Sequence, residues 1–101
     1  METAKTTDMA TRLAVLTASL RQLRSEVDRL GAADAIHSLR NHLMAAQGAL
    51  GLVEARLAQG RGDQVEALFE LAETRLRAGR ALVARTQHAR FALPGHERLA
   101  A

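Results

Sequence analysis

The chain has 101 residues, enough for one domain, and its 48% hydrophobic and 25% charged content indicates a folded protein rather than a disordered tail. Ala, Leu, Arg and Glu dominate while aromatic residues make up only 2%, a composition that favours helices and excludes a β-rich fold. The net charge of +3 is small and spread along the chain, so it does not indicate a nucleic-acid-binding protein. Because Cys is absent, a disulfide scaffold and a thiolate metal site are also excluded.

The N-terminal segment, residues 1–7, is polar and is predicted to be a disordered tail. It lacks the apolar core of a signal peptide, and no apolar run in the sequence approaches the roughly 20 residues that span a bilayer. We therefore expect a cytoplasmic protein with no membrane partner.

A heptad pattern predicts an N-terminal helix over residues 8–31. Its apolar positions alternate at spacings of four and three: Met9, Leu13, Leu16, Leu20, Leu23, Val27 and Leu30. This spacing is typical of a coiled-coil seam or a bundle helix. Gly31 can end the helix and Asp34 can cap the next one. The heptad pattern resumes after Gly31 with only a shift in its phase. The alternative to a break is therefore a single helix that continues through Gly31.

Two further stripes predict a helical hairpin over residues 32–90. The first is Ile36, Leu39, Leu43, Ala46, Leu50, Val53 and Leu57, and the second is Val65, Leu68, Phe69, Ala72, Leu76, Gly79, Leu82 and Val83. Between them, Gly60 and Gly62 predict a turn, and Asp63 with Glu66 resembles a capping box. Gly79 lies mid-helix, which suggests a close helix contact there. Pro94 ends any helix and leaves residues 91–101 as a short tail.

The number of apolar positions favours a dimer. Each long helix offers about seven, worth roughly 1.5–3 kcal/mol apiece when fully buried, and two antiparallel helices bury only part of each stripe. Since ordering the chain costs roughly 1.5 kcal/mol per residue, a lone hairpin would be marginal. We therefore predict an all-α homodimer in which two hairpins form a four-helix bundle. The N-terminal helix is expected either to extend the dimer as a coiled coil or to fold back as a third helix.

The histidines are the candidate chemical groups: His37, His42, His88 and His96. On a wheel of about 100° per residue, His37 points away from the seam, with Asn41, Met44 and Gly48 near its direction. It should therefore face solvent, whereas His42 should lie on the flank of the core. The other two lack a ligand partner at helical spacing, so no metal site is expected.

Residues 36–43, IHSLRNHL, resemble the H-box of sensor histidine kinases, whose dimerisation and histidine-phosphotransfer domain reads roughly H-E-L-R-N/T-P-L. The matching positions are His37, Leu39, Arg40, Asn41 and Leu43. Gly48 stands where that family often has Gly, and the resemblance covers about residues 33–86. Ser38 replaces the family's acidic residue, which helps to take the imidazole proton, and His42 replaces its usual Pro. No glycine-rich nucleotide box is present, so we expect neither ATP binding nor self-phosphorylation.

The resemblance implies a histidine phosphotransfer protein of a two-component phosphorelay. His37 would exchange a phosphoryl group with the aspartate of a response-regulator receiver domain, because neutral imidazole is a good nucleophile near pH 7. Arg40 would balance phosphate charge, Asn41 would hydrogen-bond the group, and the docking residues would be Met44, Gly48 and Leu52. No cofactor is expected on this chain, since the receiver domain brings its own Mg²⁺. A sensor kinase is a further possible partner.

Several alternatives stay open. The segment from His37 to Arg40 also resembles the H-x-L-K-G box of monomeric four-helix phosphotransfer modules, although Asn41 stands where that box has Gly. The chain would otherwise be a non-catalytic helical dimer that sequesters a receiver domain or kinase, with His37 an ordinary surface histidine. The third class is a coiled-coil or nucleoid-associated protein, for which tight DNA binding at low salt would be the sign.

Overall fold

The computed structural model describes the backbone of residues 2–91 and the side chains of residues 8–87. It contains three helices: α1 (Glu2–Glu26), α2 (Ala33–Ala58) and α3 (Glu66–Phe91). This part of the chain contains no strand, which confirms the all-α class. None of the described helices is both long and apolar enough to cross a lipid bilayer.

The chain breaks between α1 and α2, so the helix is not continuous through Gly31. A short 3-10 turn, Val27–Arg29, follows α1, and residues 30–32 carry no regular structure. Ala32 occupies the N-cap position of α2 without a side-chain hydrogen bond. Asp34 therefore does not cap the helix as the sequence suggested. It lies in the first turn, where a carboxylate is stabilised by the positive end of the helix dipole.

The capping box predicted before α3 is wrong. Asp63 lies within a second 3-10 turn, Gly62–Gln64, and α3 begins only at Glu66. The carbonyl of Val65 accepts the backbone hydrogen bond that opens the helix. The glycine turn itself is present, and Gly60 adopts a left-handed φ of 72° that suits glycine.

The N-terminal segment was predicted to be a disordered tail but is helical in the structure. The helix α1 begins at Glu2, so the predicted tail over residues 1–7 is corrected for residues 2–7. The segment includes the helix formers Glu2, Ala4 and Lys5, and it extends a helix that packing already stabilises further along. At the other end, α3 runs to Phe91, and the rest of the predicted C-terminal tail, residues 92–101, lies outside the described residues.

The helix α1 folds back onto the α2–α3 hairpin, which is one of the two arrangements that the sequence left open. The core draws on all three helices and the turn after α1. Its buried residues are Leu16, Leu20, Leu23, Val27, Leu30, Leu39, Leu43, Ala46, Ala49, Leu50, Val53, Val65, Phe69, Ala72, Leu76 and Val83. All but one of these belong to the predicted stripes, so the stripes are confirmed as the core. The faces of α2 and α3 that were expected to meet a second hairpin are covered by α1 of the same chain.

The helices α1 and α3 run parallel in one register. Three side-chain hydrogen bonds join residues 61 apart at steps of seven: Arg12 with Glu73, Ser19 with Arg80, and Glu26 with Gln87. A constant offset at heptad steps means that the two helices contact each other along one continuous stripe.

At Gly79, side chains of α1 and α2 pack closely against the backbone of α3. A Cβ built on Gly79 would lie 3.1 Å from Leu39 Cδ1 and 3.4 Å from Leu23 Cδ1, so side chains of α2 and α1 fill the space that the glycine leaves. The close contact predicted from this mid-helix glycine is thus confirmed.

Arg12 clamps α1 onto α3. Its guanidinium contacts both carboxylate oxygens of Glu73, at 2.8 and 2.9 Å, and reaches a Glu66 oxygen at 2.9 Å. It also lies 4.4 Å from the ring centroid of Phe69, in a cation–π contact. The hydrogen bond from Arg12 holds the pKa of Glu73 below its usual range, and the same bond raises the pKa of Arg12.

Replacing this clamp should lower stability in a pH-dependent way. Arg12→Ala is expected to lower the free energy of unfolding by about 1–2 kcal/mol at pH 7, since the clamp combines a partly exposed ion pair with a cation–π contact. Because the pKa of Glu73 is lowered in the folded state, its stabilisation is present above its ordinary pKa of 4.5 and is lost as the pH falls below that value. Urea unfolding at pH 7 and pH 3 should therefore show a smaller difference at pH 3.

The matched control for this prediction is Arg21→Ala, which removes an exposed arginine from the same helix. It should change the free energy of unfolding by less than about 0.5 kcal/mol. Equal losses in the two variants, or a loss in Arg12→Ala that does not shrink at low pH, would contradict the role of the clamp.

Candidate functional site

His37 is exposed on the second turn of α2, as the wheel predicts. The buried residues of this helix lie on its opposite side: Leu39, Leu43, Ala46, Ala49, Leu50 and Val53. The fold thus directs the imidazole to solvent, and a partner can reach it without opening the bundle.

Two polar side chains lie one turn further along on the same side of α2. Arg40 and Asn41 are both exposed, three and four positions after His37. Residues at these spacings are neighbours on a helix, with Cβ atoms about 5–6 Å apart. The site therefore combines a nucleophile with a guanidinium that can bind an anion and an amide that can donate hydrogen bonds. Ser38, in the family's acidic position, is exposed as well.

From His37 to Ala55, the strip of α2 directly opposite the core carries no charged residue, and Arg40 lies on its flank. This outer face consists of His37, Asn41, Met44, Gly48, Gly51, Leu52 and Ala55, all of them exposed. Met44 is 71% exposed and Leu52 50% exposed, which is high for large apolar side chains. A surface helix normally places charged and polar residues opposite its core. An uncharged outer face with protruding apolar side chains indicates a contact surface.

The packing of the described residues does not explain two glycines of the outer face. A glycine in a helix interior costs about 1 kcal/mol relative to alanine. The packing around Gly79 explains that glycine, but a Cβ added at Gly48 or Gly51 would meet no atom within 4 Å. Such glycines allow another molecule to approach the backbone closely. The sequence singled out Gly48 for this reason but missed Gly51.

A shallow groove of about 370 Å³ lies beside the outer face, between the end of α1 and α2. Arg40 and Met44 line its α2 side, and Arg24 and Asp28 line its α1 side. The Arg24 guanidinium donates a hydrogen bond to Gln47 across the groove. Sequence reasoning missed Arg24, and no motif could have found it, because only the fold-back of α1 brings it to this groove.

His42 occupies a different environment. It is partly buried between α2 and α3, and its Nδ1 lies 3.3 Å from a guanidinium nitrogen of Arg75. Arginine only donates hydrogen bonds, so Nδ1 of His42 is the acceptor in this contact. The predicted position on the flank of the core is confirmed, and the lone pair of Nδ1 is not available to an incoming phosphoryl group.

Among the described residues, no group of three or more His, Asp or Glu side chains could hold a metal ion. The side chain of His88 and all of His96 lie outside the described part. The expectation that Mg²⁺ belongs to the partner receiver domain stays a prediction.

No protein-family profile matches the chain, and no similar protein is found among curated proteins or among solved structures. The likeness to the kinase domain therefore rests on the segment 36–43 and on the helical hairpin that carries it.

Proposed function

We propose that the chain is a histidine phosphotransfer protein of a two-component phosphorelay. The observation that carries this proposal is the exposed imidazole of His37, with Arg40 and Asn41 one turn away on the same side of α2. In the step, a lone pair of a ring nitrogen of His37 attacks the phosphorus of an aspartyl phosphate. The N–P bond forms as the P–O bond to the aspartate breaks, and the carboxylate leaves.

The chain needs to supply little else for this chemistry. Phosphoryl transfer depends mainly on positioning and on stabilising negative charge, and the receiver domain contributes its own Mg²⁺. The guanidinium of Arg40 would offset charge on the transferred group, and the amide of Asn41 would orient it. Because the phosphoryl group arrives already activated, no ATP-binding domain is required.

Docking would use the outer face of α2. Met44 supplies an adaptable apolar contact, Leu52 a second one, and Gly48 lets a helix of the receiver domain approach the backbone. The groove with Arg24 adds a second guanidinium on the side of Arg40. This arrangement would favour a partner that carries negative charge near its reacting group.

The test is incubation of the purified chain with a phosphorylated receiver domain and Mg²⁺. Acid-labile phosphate should appear on the chain as it disappears from the receiver domain. ATP alone, with no kinase present, should leave the chain unlabelled. Receiver domains from the same organism that all keep their phosphate in the presence of the chain would exclude the proposal.

Ser38 favours a second candidate function, a non-catalytic adaptor. The exposed hydroxyl of Ser38 cannot take the imidazole proton as a carboxylate would. An adaptor would bind and sequester a receiver domain or a sensor kinase through the outer face without accepting phosphate. Binding without transfer in the same experiment would identify it.

The oligomeric state of the chain stays a prediction. The dimeric four-helix bundle predicted from the sequence would need the faces of the hairpin that α1 covers in this structure. A bundle within one chain is closer to the monomeric phosphotransfer module, which the sequence resembles through His37, Leu39 and Arg40.

A further inference from the structure

We propose that the outer face of α2 also binds the outer face of a second copy, with the two α2 helices antiparallel and centred near residue 46. This inference concerns self-association and does not depend on phosphotransfer. Its starting point is that the described residues leave this face of α2 uncovered, while α1 and α3 cover the opposite face.

The outer face repeats like a seam. Six of its residues, together with Ala58 one turn further on, recur at alternating spacings of four and three: His37, Asn41, Met44, Gly48, Gly51, Ala55 and Ala58, all of them exposed. That repeat is the pattern by which helices pair side by side. The helix α2 therefore carries two seams on opposite sides, one buried in the bundle and one that no other part of the described structure covers.

One antiparallel register fits large residues against small ones. With the two helices centred near residue 46, Met44 of each copy lies opposite Gly48 of the other. In the same register Asn41 lies opposite Gly51 and His37 lies opposite Ala55. The most exposed apolar side chain of the face thus meets a residue without a side chain, and a Cβ there would touch nothing in its own chain. Close packing of this kind is what a helix pair requires.

Charge selects the same register independently. Arg40, Gln47 and Glu54 lie along one flank of the outer face, seven residues apart, and all three are exposed. In an antiparallel pair, residues on the same flank meet each other, so Arg40 of each copy meets Glu54 of the other while the two Gln47 side chains meet at the centre. In a parallel pair, Arg40 of one copy would instead lie opposite Ala45 of the other, and the ion pair with Glu54 would not form. The contacts are reciprocal, as a two-fold symmetric interface requires.

Self-association would restrict access to His37. His37 lies at the end of the paired stretch, and the receiver domain would need the same face. The two partners would therefore exclude each other. Because one helix face is a small interface, the dissociation constant is expected to be micromolar or weaker.

The experiment is sedimentation of the full-length chain, without any receiver domain, from about 1 to 200 μM. A concentration-dependent dimer is expected. Arg40→Glu and Glu54→Arg should each weaken the dimer about tenfold or more, and the double variant should restore it because the pairs re-form with opposite sign. A monomer at every concentration, or a double variant no tighter than the single ones, would overturn the proposal.

A second variant tests the packing. A Cβ added at Gly48 has no described atom within 4 Å, so the fold of Gly48→Leu should persist by circular dichroism, but the added side chain occupies the space that Met44 of the second copy needs. It should abolish the dimer. Ala81→Leu, at an exposed position of α3, is the control and should leave the dimer unchanged. A dimer that tolerates Gly48→Leu would show that the copies meet elsewhere and would overturn the proposal.

Discussion

His37→Ala should abolish the transfer of a phosphoryl group from a receiver domain to the chain, whereas His42→Ala should leave most of it intact. His37 is exposed and stands beside Arg40 and Asn41, while His42 is partly buried with Nδ1 against Arg75. Only the first imidazole can present a lone pair to an incoming phosphorus without rearrangement of the bundle. The measurement is the rate at which acid-labile phosphate appears on each variant.

The variant that keeps transfer should lose more stability than the variant that loses transfer. His37→Ala removes a surface side chain and should change the free energy of unfolding by no more than about 0.5 kcal/mol. His42→Ala removes a partly buried hydrogen-bonding contact and should cost about 1 kcal/mol. Transfer that survives in His37→Ala but is lost in a folded His42→Ala would assign the acceptor to His42. Transfer that persists in both variants would place the acceptor on another residue, whereas receiver binding without transfer in the unsubstituted chain would leave the adaptor function.

The core could be predicted from the sequence because hydrophobic periodicity is read from spacing alone. Leu16, Leu39 and Leu76 belong to three different stripes, and all three are buried. The element that covers each stripe could not be predicted. The hydrophobic effect is non-directional, so a second hairpin would bury the stripes as well as α1 does. The fold-back of α1 depends on the break at residues 30–32 and on contacts such as that of Arg12 with Glu73, which are far apart in the sequence.

The helix starts were predicted less well than the helices. Asp34 and Asp63 both carry the side chain that a cap prefers, yet Ala32 caps α2 and Asp63 lies in a 3-10 turn. A capping side chain contributes about 1 kcal/mol, which the geometry of a short connection can outweigh. Helix ends are therefore set by where packing lets the turn close, and the local pattern misplaced the start of α3 by a few residues.

The candidate site, like the fold, could be predicted only in part from the sequence. The exposure of His37, Asn41 and Met44 follows from their angular position on one helix, so the wheel was sufficient. Arg24 comes from another helix, and its place beside Arg40 required the packing of α1. A site built on one helix can be predicted from sequence, whereas contributions from a second helix need the fold.

The largest loss of stability is expected from Leu50→Asp. Leu50 is 4% exposed in the centre of α2, and an unpaired carboxylate there has no hydrogen-bonding partner. The cost should be about 4 kcal/mol or more, a large share of the 5–15 kcal/mol that stabilises a typical domain. Far-UV circular dichroism during urea unfolding should show a largely unfolded chain or a transition at much lower urea.

Leu52→Asp is the matched control, because the same substitution is made two residues away on the same helix. Leu52 is 50% exposed on the outer face, so the carboxylate stays hydrated and the free energy of unfolding should change by no more than about 0.5 kcal/mol. Both variants should be compared at about 1 μM, where self-association is weak. Similar losses in the two variants would mean that α2 is rotated from the orientation described, and His37 would then no longer face solvent. Leu50 and Leu52 together therefore test the helix orientation on which the exposure of the phosphoacceptor depends.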